Sequence, residues 1–295
     1  VDVDAAKDFL PTMGDCDLMV GMHPNFKVHV HSNRPDQVLG WFLTHDCQIS
    51  EVHVHNMKLQ SDERNEKIEA QLEAEHKPLG VVAVAPGFGT AKILESLGVD
   101  VVISGGQTMN PSTADILAAV NKVNADAVVV LPNNKNIIMA AQACVEVSEK
   151  PCAVVVTTSV PQAFSAMFGF DGEASLEENV EAMTEAFAEV KTGEVTHAIK
   201  DSKDAHGNPI KDGDVIGIAD GSIEAVGSDV SDVVLALLEA MEADDADTMT
   251  ILAGEDFSDE ALDALVARIE ETYEDLEIDP HRGEQALYPV VFSLE

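Results

Sequence analysis

The chain has few aromatic and few basic residues. The first shortage argues against one class of fold, and the second against one class of partner. Aromatic side chains make up only 4% of the 295 residues. The core must therefore be aliphatic, which favours α/β layers over an aromatic-rich sandwich. Lysine and arginine number 17 against 54 aspartates and glutamates, a formal net charge of −37. A field of that sign repels nucleic-acid backbones and anionic membrane surfaces, so we expect neither as a partner.

Several other patterns are also missing. The four cysteines form no CxxC pair, which indicates a reduced, cytoplasmic protein. No apolar run approaches the roughly 20 residues of a membrane span, and no signal peptide is evident. Because the sequence also lacks a Walker motif, a dinucleotide-binding GxGxxG and a GxSxG elbow, no residue is assigned a catalytic role. The chain begins with Val1 rather than Met, so we expect it to be a fragment of a longer protein.

The hydrophobic pattern divides the chain into three parts. Residues 1–57 predict a small β-β-α-β domain fragment, with its helix behind Pro35 and its last strand at 49–56. The charged segment 58–78 is interpreted as a polar helix or linker. From 79 to 295, apolar strands alternate with helices, which predicts an α/β domain whose first sheet is parallel and covered on both faces. We expect two lobes, about 79–165 and 166–295.

Loops rich in small and polar residues follow the predicted parallel strands. Ligands bind at such carboxyl ends, and helix N-termini there attract anions. The same residue types also make ordinary tight turns and helix caps, so the two interpretations are about evenly balanced. The candidates for binding a partner or an anion are Gly105, Gly106, Gln107, Thr108, Asn110, Ser112, Asn133, Asn134, Lys135, Asn136 and Ser159.

His-Val-His occurs twice, at His29 with His31 and at His53 with His55. Residues two apart in a strand face the same way. Zinc needs three protein ligands in a catalytic site and four in a structural one, and one such pair supplies two. Each pair is therefore either part of a metal site or two imidazoles on the polar face of a strand.

Several longer motifs together resemble a known family. They are FKVHVHSNRPDQVL, SGGQTMNPST, LPNNKNIIMAA, TTSVPQAFSAM, DGDVIGIADGSI and HRGEQALYPVVFSLE. Across essentially the whole chain they resemble the central and C-terminal domains of the ATP-binding subunit of bacterial fatty acid kinase. These are the dihydroxyacetone-kinase-like proteins of the DAK phosphatase domain family. The resemblance implies a two-lobed DegV-type fold for 79–295 and a central domain that mediates dimerisation and assists phosphotransfer.

The resemblance also implies a function. The chain would be the non-nucleotide portion of the kinase subunit, which docks a DegV-like fatty-acid-binding protein and supports phosphoryl transfer from ATP to the fatty acid carboxylate, for phospholipid synthesis. ATP and Mg²⁺ would bind through an N-terminal domain that is absent here, and the intact protein would be a homodimer. His29 and His31 match the family's zinc-binding pair. Its cysteine ligand would lie before Val1, because Cys16 does not match that position. His53 and His55 fall outside the family pattern.

Two other functions remain open from the residues themselves. The two lobes could form an independent binder of a fatty acid or a small phosphorylated ligand. In that case we expect a deep apolar tunnel between the lobes, whereas docking alone is compatible with a filled cleft. A metal-dependent hydrolase built on the His-Val-His pair is the third hypothesis, and zinc analysis of a longer protein tests it.

Overall fold

The structure is a computed structural model that describes residues 3–22, 25–45, 47–50, 52, 54, 76–106, 110–204, 207 and 209–295. The chain forms two compact units, residues 1–71 and 72–295. None of the helices in the described ranges is both long and apolar enough to cross a membrane.

The first unit contains an antiparallel hairpin and two helices. The helices share a small apolar cluster in which Leu10 packs with Val38 and Phe42. The second helix begins at Pro35, as predicted, because a fixed φ suits the first helical turn. The elements are α1 (Val3–Met13), β1 (Asp15–Met22), β2 (Asn25–His31) and α2 (Pro35–Thr44).

The third strand predicted for this unit is not found at the residues that the structure describes. Residues 49, 50, 52 and 54 lie outside any strand. A strand is defined by backbone hydrogen bonds to a neighbour, and the described sheet of this unit contains only β1 and β2. The remaining residues of the predicted strand, 51, 53, 55 and 56, lie outside the described residues. His53 and His55, as well as most of the predicted linker (residues 58–75), lie outside the described residues.

The second unit begins with a four-stranded parallel sheet in the order β4-β3-β5-β6. Helices cover both faces, as the continuous apolar strands predicted. Val82 and Val84 face one helical layer, and Val81 and Ala83 face the other. The elements are β3 (Lys77–Ala85), α3 (Phe88–Ser96), β4 (Val101–Ser104), α4 (Thr113–Lys122), β5 (Ala125–Leu131), α5 (Ile138–Val147), β6 (Cys152–Val154), α6 (Val160–Phe168) and α7 (Leu176–Ala186).

A six-stranded mixed sheet follows, in the order β11-β10-β7-β14-β12-β13. Only its β12–β13 pair is parallel. Two helices bury one face, where Phe292 and Leu237 are inaccessible to solvent. The elements of this part of the chain are β7 (Lys191–His197), β8 (Ser202–Lys203), β9 (Pro209–Ile210), β10 (Val215–Ala219), β11 (Ser222–Gly227), α8 (Val230–Ala240), a 3₁₀ turn (Ala243–Asp245), β12 (Thr248–Ala253), α9 (Asp259–Thr272), β13 (Glu277–Arg282) and β14 (Val290–Leu294). Strands β8 and β9 pair with each other in a separate two-stranded sheet.

The two sheets meet within this unit. Leu252 and Val291, from the second sheet, pack into the apolar core of the first. Polar contacts reinforce the junction, since the Ser165 hydroxyl donates to the Glu295 carboxylate at 2.7 Å. The fold is therefore the two-lobed α/β arrangement expected from the sequence, and apolar residues of both lobes meet in one core.

Candidate functional site

A cavity of about 210 Å³ lies between the two lobes. One wall is the carboxyl edge of the parallel sheet, represented by Pro86, Gly105 and Asn134. The opposite wall comes from the second sheet and includes Glu194 and Leu252. The cavity thus sits where parallel α/β sheets bind ligands, beyond the carboxyl ends of their strands.

Asn133 is held by the fold rather than presented to a ligand. Its side chain is buried, and its backbone is left-handed with φ 57°. The amide nitrogen donates to the Val84 carbonyl at 2.8 Å, and the Thr157 hydroxyl donates to the amide oxygen at 2.6 Å. This asparagine therefore ties together the ends of β3 and β5 and the segment after β6. Asn133 borders the cavity, but its hydrogen bonds give it a structural role.

The next three residues have different environments. Asn134 is buried in the cavity wall, and its amide oxygen accepts the backbone N–H of Asn136 at 2.8 Å. The Lys135 ammonium donates to the Asp220 carbonyl of the second lobe at 2.9 Å. Both Lys135 and Asn136 are exposed. Of these three, only Asn134 is placed to meet a molecule in the cavity, and the other two face solvent.

The loop after β4 also contributes to the cavity. Gly105 and Gly106 line it, and the Gly105 N–H donates to the Ala85 carbonyl at 3.1 Å. Asn110 is exposed and is not among the lining residues that the structure describes. Gln107 and Thr108 lie outside the described residues, so their predicted part in binding stays a prediction.

Ser112 caps α4 in a reciprocal arrangement. Its hydroxyl accepts the Asp115 N–H, while the Asp115 carboxylate accepts the Ser112 N–H at 2.9 Å. The hydrogen bonds from Ser112 lower the pKa of Asp115. Ser112 is thus the N-cap of α4, and its predicted part in binding a partner or an anion stays a prediction.

Replacing Ser112 with alanine should destabilise the second unit by about 1 kcal/mol, because the first turn of α4 loses its side-chain acceptor. Urea unfolding followed by circular dichroism measures the change. Ser96→Ala is the matched control, since that exposed hydroxyl bonds only the Ile93 carbonyl at the other end of a helix. Equal midpoints for the two variants would contradict the assignment.

Ser159 begins α6 and also joins the lobes. Its hydroxyl accepts the Gln162 N–H at 3.3 Å and shares a 2.9 Å hydrogen bond with the Thr192 hydroxyl of β7. It is buried at the edge of the cavity. The structure therefore brings five of the predicted residues to one cavity, namely Gly105, Gly106, Asn133, Asn134 and Ser159.

The second-lobe wall was not foreseen from the sequence. Burial raises the pKa of Glu194, and the nearby Lys135 ammonium opposes that rise. Burial and the charge of Glu194 together raise the pKa of Tyr288 to about 12. The Gln285 amide is buried and donates to the Leu252 carbonyl at 2.8 Å and to the Tyr288 carbonyl at 3.1 Å. These residues lie far along the chain from the glycine and asparagine loops. Gln285 and Tyr288 fall within the motif HRGEQALYPVVFSLE, which was given no part in binding, and no motif marks Glu194.

The first His-Val-His pair lies in β2. The backbones of His29 and His31 pair with Leu18 and Asp15 of β1. Their side chains lie outside what the structure describes, so the zinc prediction stays a prediction. Within the described part of the chain, no group of three or more histidine, cysteine, aspartate or glutamate side chains is arranged to hold a metal ion.

Comparison with known families identifies the chain. Residues 80–295 match the model for the C-terminal domain of the FakA-like fatty acid kinase proteins, and residues 1–64 match the model for their middle domain. The chain belongs to the FakA-like fatty acid kinase family. This confirms the resemblance drawn from its motifs.

Two curated relatives show how much of the family's length is present. Protein YloV of Bacillus subtilis is 37% identical over 290 residues, which cover 97% of this chain and 52% of the relative. An uncharacterized protein of Staphylococcus haemolyticus is 36% identical over 288 residues, covering 96% and 52%. The chain therefore spans about half the length of the curated relatives it matches.

Solved structures share the fold of the second unit. A DegV family protein, Cg2579 of Corynebacterium glutamicum, superposes with a TM-score of 0.54 at 16% identity, covering 74% of this chain and 96% of that one. The Thermotoga maritima protein TM841, described as having fatty acid binding function, gives a TM-score of 0.52 at 14% identity, covering 75% and 99%. The two-lobed DegV-like fold expected from the motifs is thus confirmed.

Proposed function

We propose that this chain is the non-nucleotide portion of a fatty acid kinase subunit. It docks a DegV-like fatty-acid-binding protein and supports phosphoryl transfer from ATP to the fatty acid carboxylate. The observation that carries the proposal is the match of residues 1–64 and 80–295 to the middle and C-terminal domains of one kinase family. ATP and Mg²⁺ would be bound outside this chain.

The cavity favours docking over independent lipid binding. Pockets for drug-sized ligands usually hold about 300–1,000 Å³, whereas this one holds about 210 Å³. Leu252 and Val291 occupy the junction between the lobes, where a tunnel would have to pass. The carboxyl group of Glu194 in the wall would also repel a fatty acid carboxylate once both are ionised. These features argue against a lipid tunnel and support a role in binding protein.

The start of α5 is the surface we assign to docking. Lys135 and Asn136 are exposed there, and Met139 stands 81% exposed one turn further on. A solvated methionine beside hydrogen-bonding groups is typical of an adaptable protein contact. Of the predicted binding segment 133–136, the proposed docking surface keeps only Lys135 and Asn136, because Asn133 and Asn134 are buried.

Replacing Met139 with serine is expected to weaken binding of a fatty-acid-loaded DegV-like protein from the same organism about tenfold, which is the usual cost of losing an apolar anchor. Val147→Ser is the matched control, because Val147 is 59% exposed at the opposite end of the same helix. Calorimetry with this chain measures both affinities. Equal weakening by the two variants would remove this surface from the proposal, and failure of the unmodified chain to bind the loaded protein would contradict docking itself.

The phosphotransfer part of the proposal needs the longer protein. Joined to its ATP-binding region, the kinase should form acyl phosphate from ATP only when the loaded partner is present.

In the same longer protein, His29 and His31 would supply two zinc ligands. We expect His29→Ala to lower the zinc content in metal analysis, while His197→Ala leaves it unchanged. Full zinc occupancy in the His29 variant would contradict this ligand set.

A further inference from the structure

Glu194 is an ionisable group that the docking function does not use. It lies on β7, where the alternation of the strand sends Val195 into the core beneath α8 and α9 and turns Glu194 toward the inter-lobe cavity. No described residue donates a hydrogen bond to its carboxylate, and burial disfavours its charged form. Its place in the cavity wall leaves this carboxylate available to pair with a cation that enters the cavity.

The part of the cavity wall that the structure describes carries no other charge. Glu194 is the one charged side chain among the lining residues that the structure describes. Lys135 is close enough to act on Glu194 through space, but its ammonium is hydrogen-bonded to the Asp220 carbonyl. The cavity therefore presents a negative centre that no cation in the described part of the chain occupies at hydrogen-bonding distance.

The surroundings of Glu194 are apolar and aromatic. Ile137, Leu252 and Val291 line the cavity, and Tyr288 is close enough for its pKa to respond to the charge on Glu194. The cavity, of about 210 Å³, is smaller than the roughly 300–1,000 Å³ of pockets for drug-sized ligands. The space thus suits a short aliphatic body with one polar end. Asn134 adds an amide whose oxygen is already engaged, which leaves its N–H groups for a second polar atom.

We propose that the inter-lobe cavity is a binding site for a small organic cation, a primary ammonium on a short apolar chain, with Glu194 as its counter-ion. A carboxylate in an uncharged, largely apolar pocket favours an ammonium over an alcohol because the charge-assisted hydrogen bond is the stronger one. It favours an ammonium over an anion because like charges repel. Occupation would contact both lobes at once, since Asn134 and Glu194 belong to different lobes.

Three probes of similar shape test the proposal: n-butylammonium chloride, 1-butanol and sodium butyrate. Calorimetry and saturation-transfer NMR on this chain are run in about 0.5 M NaCl, so that non-specific attraction of cations to the acidic surface is screened. We expect saturable binding of butylammonium and none of the other two at the same concentration. Stronger binding of butyrate, or equal binding of all three probes, would overturn the proposal, as would the absence of saturable butylammonium binding.

Variants of Glu194 separate the contribution of its charge to binding from the contribution of the pocket's shape. Glu194→Gln should weaken butylammonium binding roughly ten- to one hundredfold, the usual loss when a hydrogen bond to a charged group is removed. It should fold, since it replaces a partly buried ionisable group with a neutral one of the same size. Glu194→Asp keeps the charge and should retain most of the affinity. Glu277→Gln, at an exposed position of β13, is the matched control. An unchanged affinity in Glu194→Gln would overturn the assignment.

The outcome is independent of the docking proposal. Partner binding is measured at the start of α5 through Met139, and cation binding inside the cavity through Glu194. Loss of one readout without the other shows which of the two proposals has failed.

Discussion

Replacing Gly89 with alanine is expected to destabilise the second unit by roughly 3 kcal/mol, near the upper end of the usual cost of overpacking. Gly89 lies in the first turn of α3, pressed against the chain that leaves β13. A β-carbon built on it would overlap the carbonyl oxygen of Arg282. The obstacle is backbone rather than a movable side chain, so the lobes would have to shift apart. The Thr90 N–H to Gly283 carbonyl bond, 3.1 Å, would be strained as well.

The measurement is chemical unfolding of the variant beside Gly172→Ala. Gly172 belongs to the same unit and has an ordinary negative φ, and a β-carbon there would meet only the Phe170 ring, at 3.8 Å. We expect that control to stay within about 0.5 kcal/mol of the unmodified chain. If Gly89→Ala were as stable as the control, the contact between α3 and β13 would be looser than the structure has it.

Gly89 also shows where sequence analysis reaches its limit. APGFGT follows a parallel strand and has the composition of a ligand-binding loop. The structure instead gives Gly87 and Gly89 a packing role against Arg282 and Gly283, nearly two hundred residues further along the chain. A glycine that packs against a distant backbone segment occurs in the same local sequence pattern as a glycine that lets the backbone approach a phosphate. The sequence alone could not separate the two.

Features set by near neighbours were predictable. The helix caps at Ser112 and Ser175 can be identified because each acceptor and its partner lie three residues apart. The parallel sheet was predictable because strands buried on both faces are continuously apolar. By contrast, Glu194 and Gln285 reach the cavity only through the pairing of β7, β14 and β12. That pairing leaves no local signal in an antiparallel region rich in acidic residues.

Replacing Asn133 with alanine is the second substitution for which we expect a large effect, a loss of about 3 kcal/mol. The Val84 carbonyl would lose its 2.8 Å donor and the buried Thr157 hydroxyl its acceptor, and each unsatisfied buried group costs about 1–3 kcal/mol. Alanine would also have to adopt the left-handed backbone, φ 57°, that Asn133 occupies. That conformation costs a residue with an ordinary β-carbon about 1–2 kcal/mol.

Two further variants show how much of that loss of stability comes from the missing hydrogen bonds and how much from the left-handed backbone. Asn133→Gly accepts the left-handed backbone but makes neither hydrogen bond, so it should be about 1 kcal/mol more stable than Asn133→Ala. Asn136→Ala, three residues away and exposed, should fall within about 0.5 kcal/mol of the unmodified chain. Unfolding in urea gives all three values. If Asn133→Ala proved as mild as Asn136→Ala, the amide would be dispensable for the fold, and a ligand or partner contact would become the better explanation for an asparagine at this position.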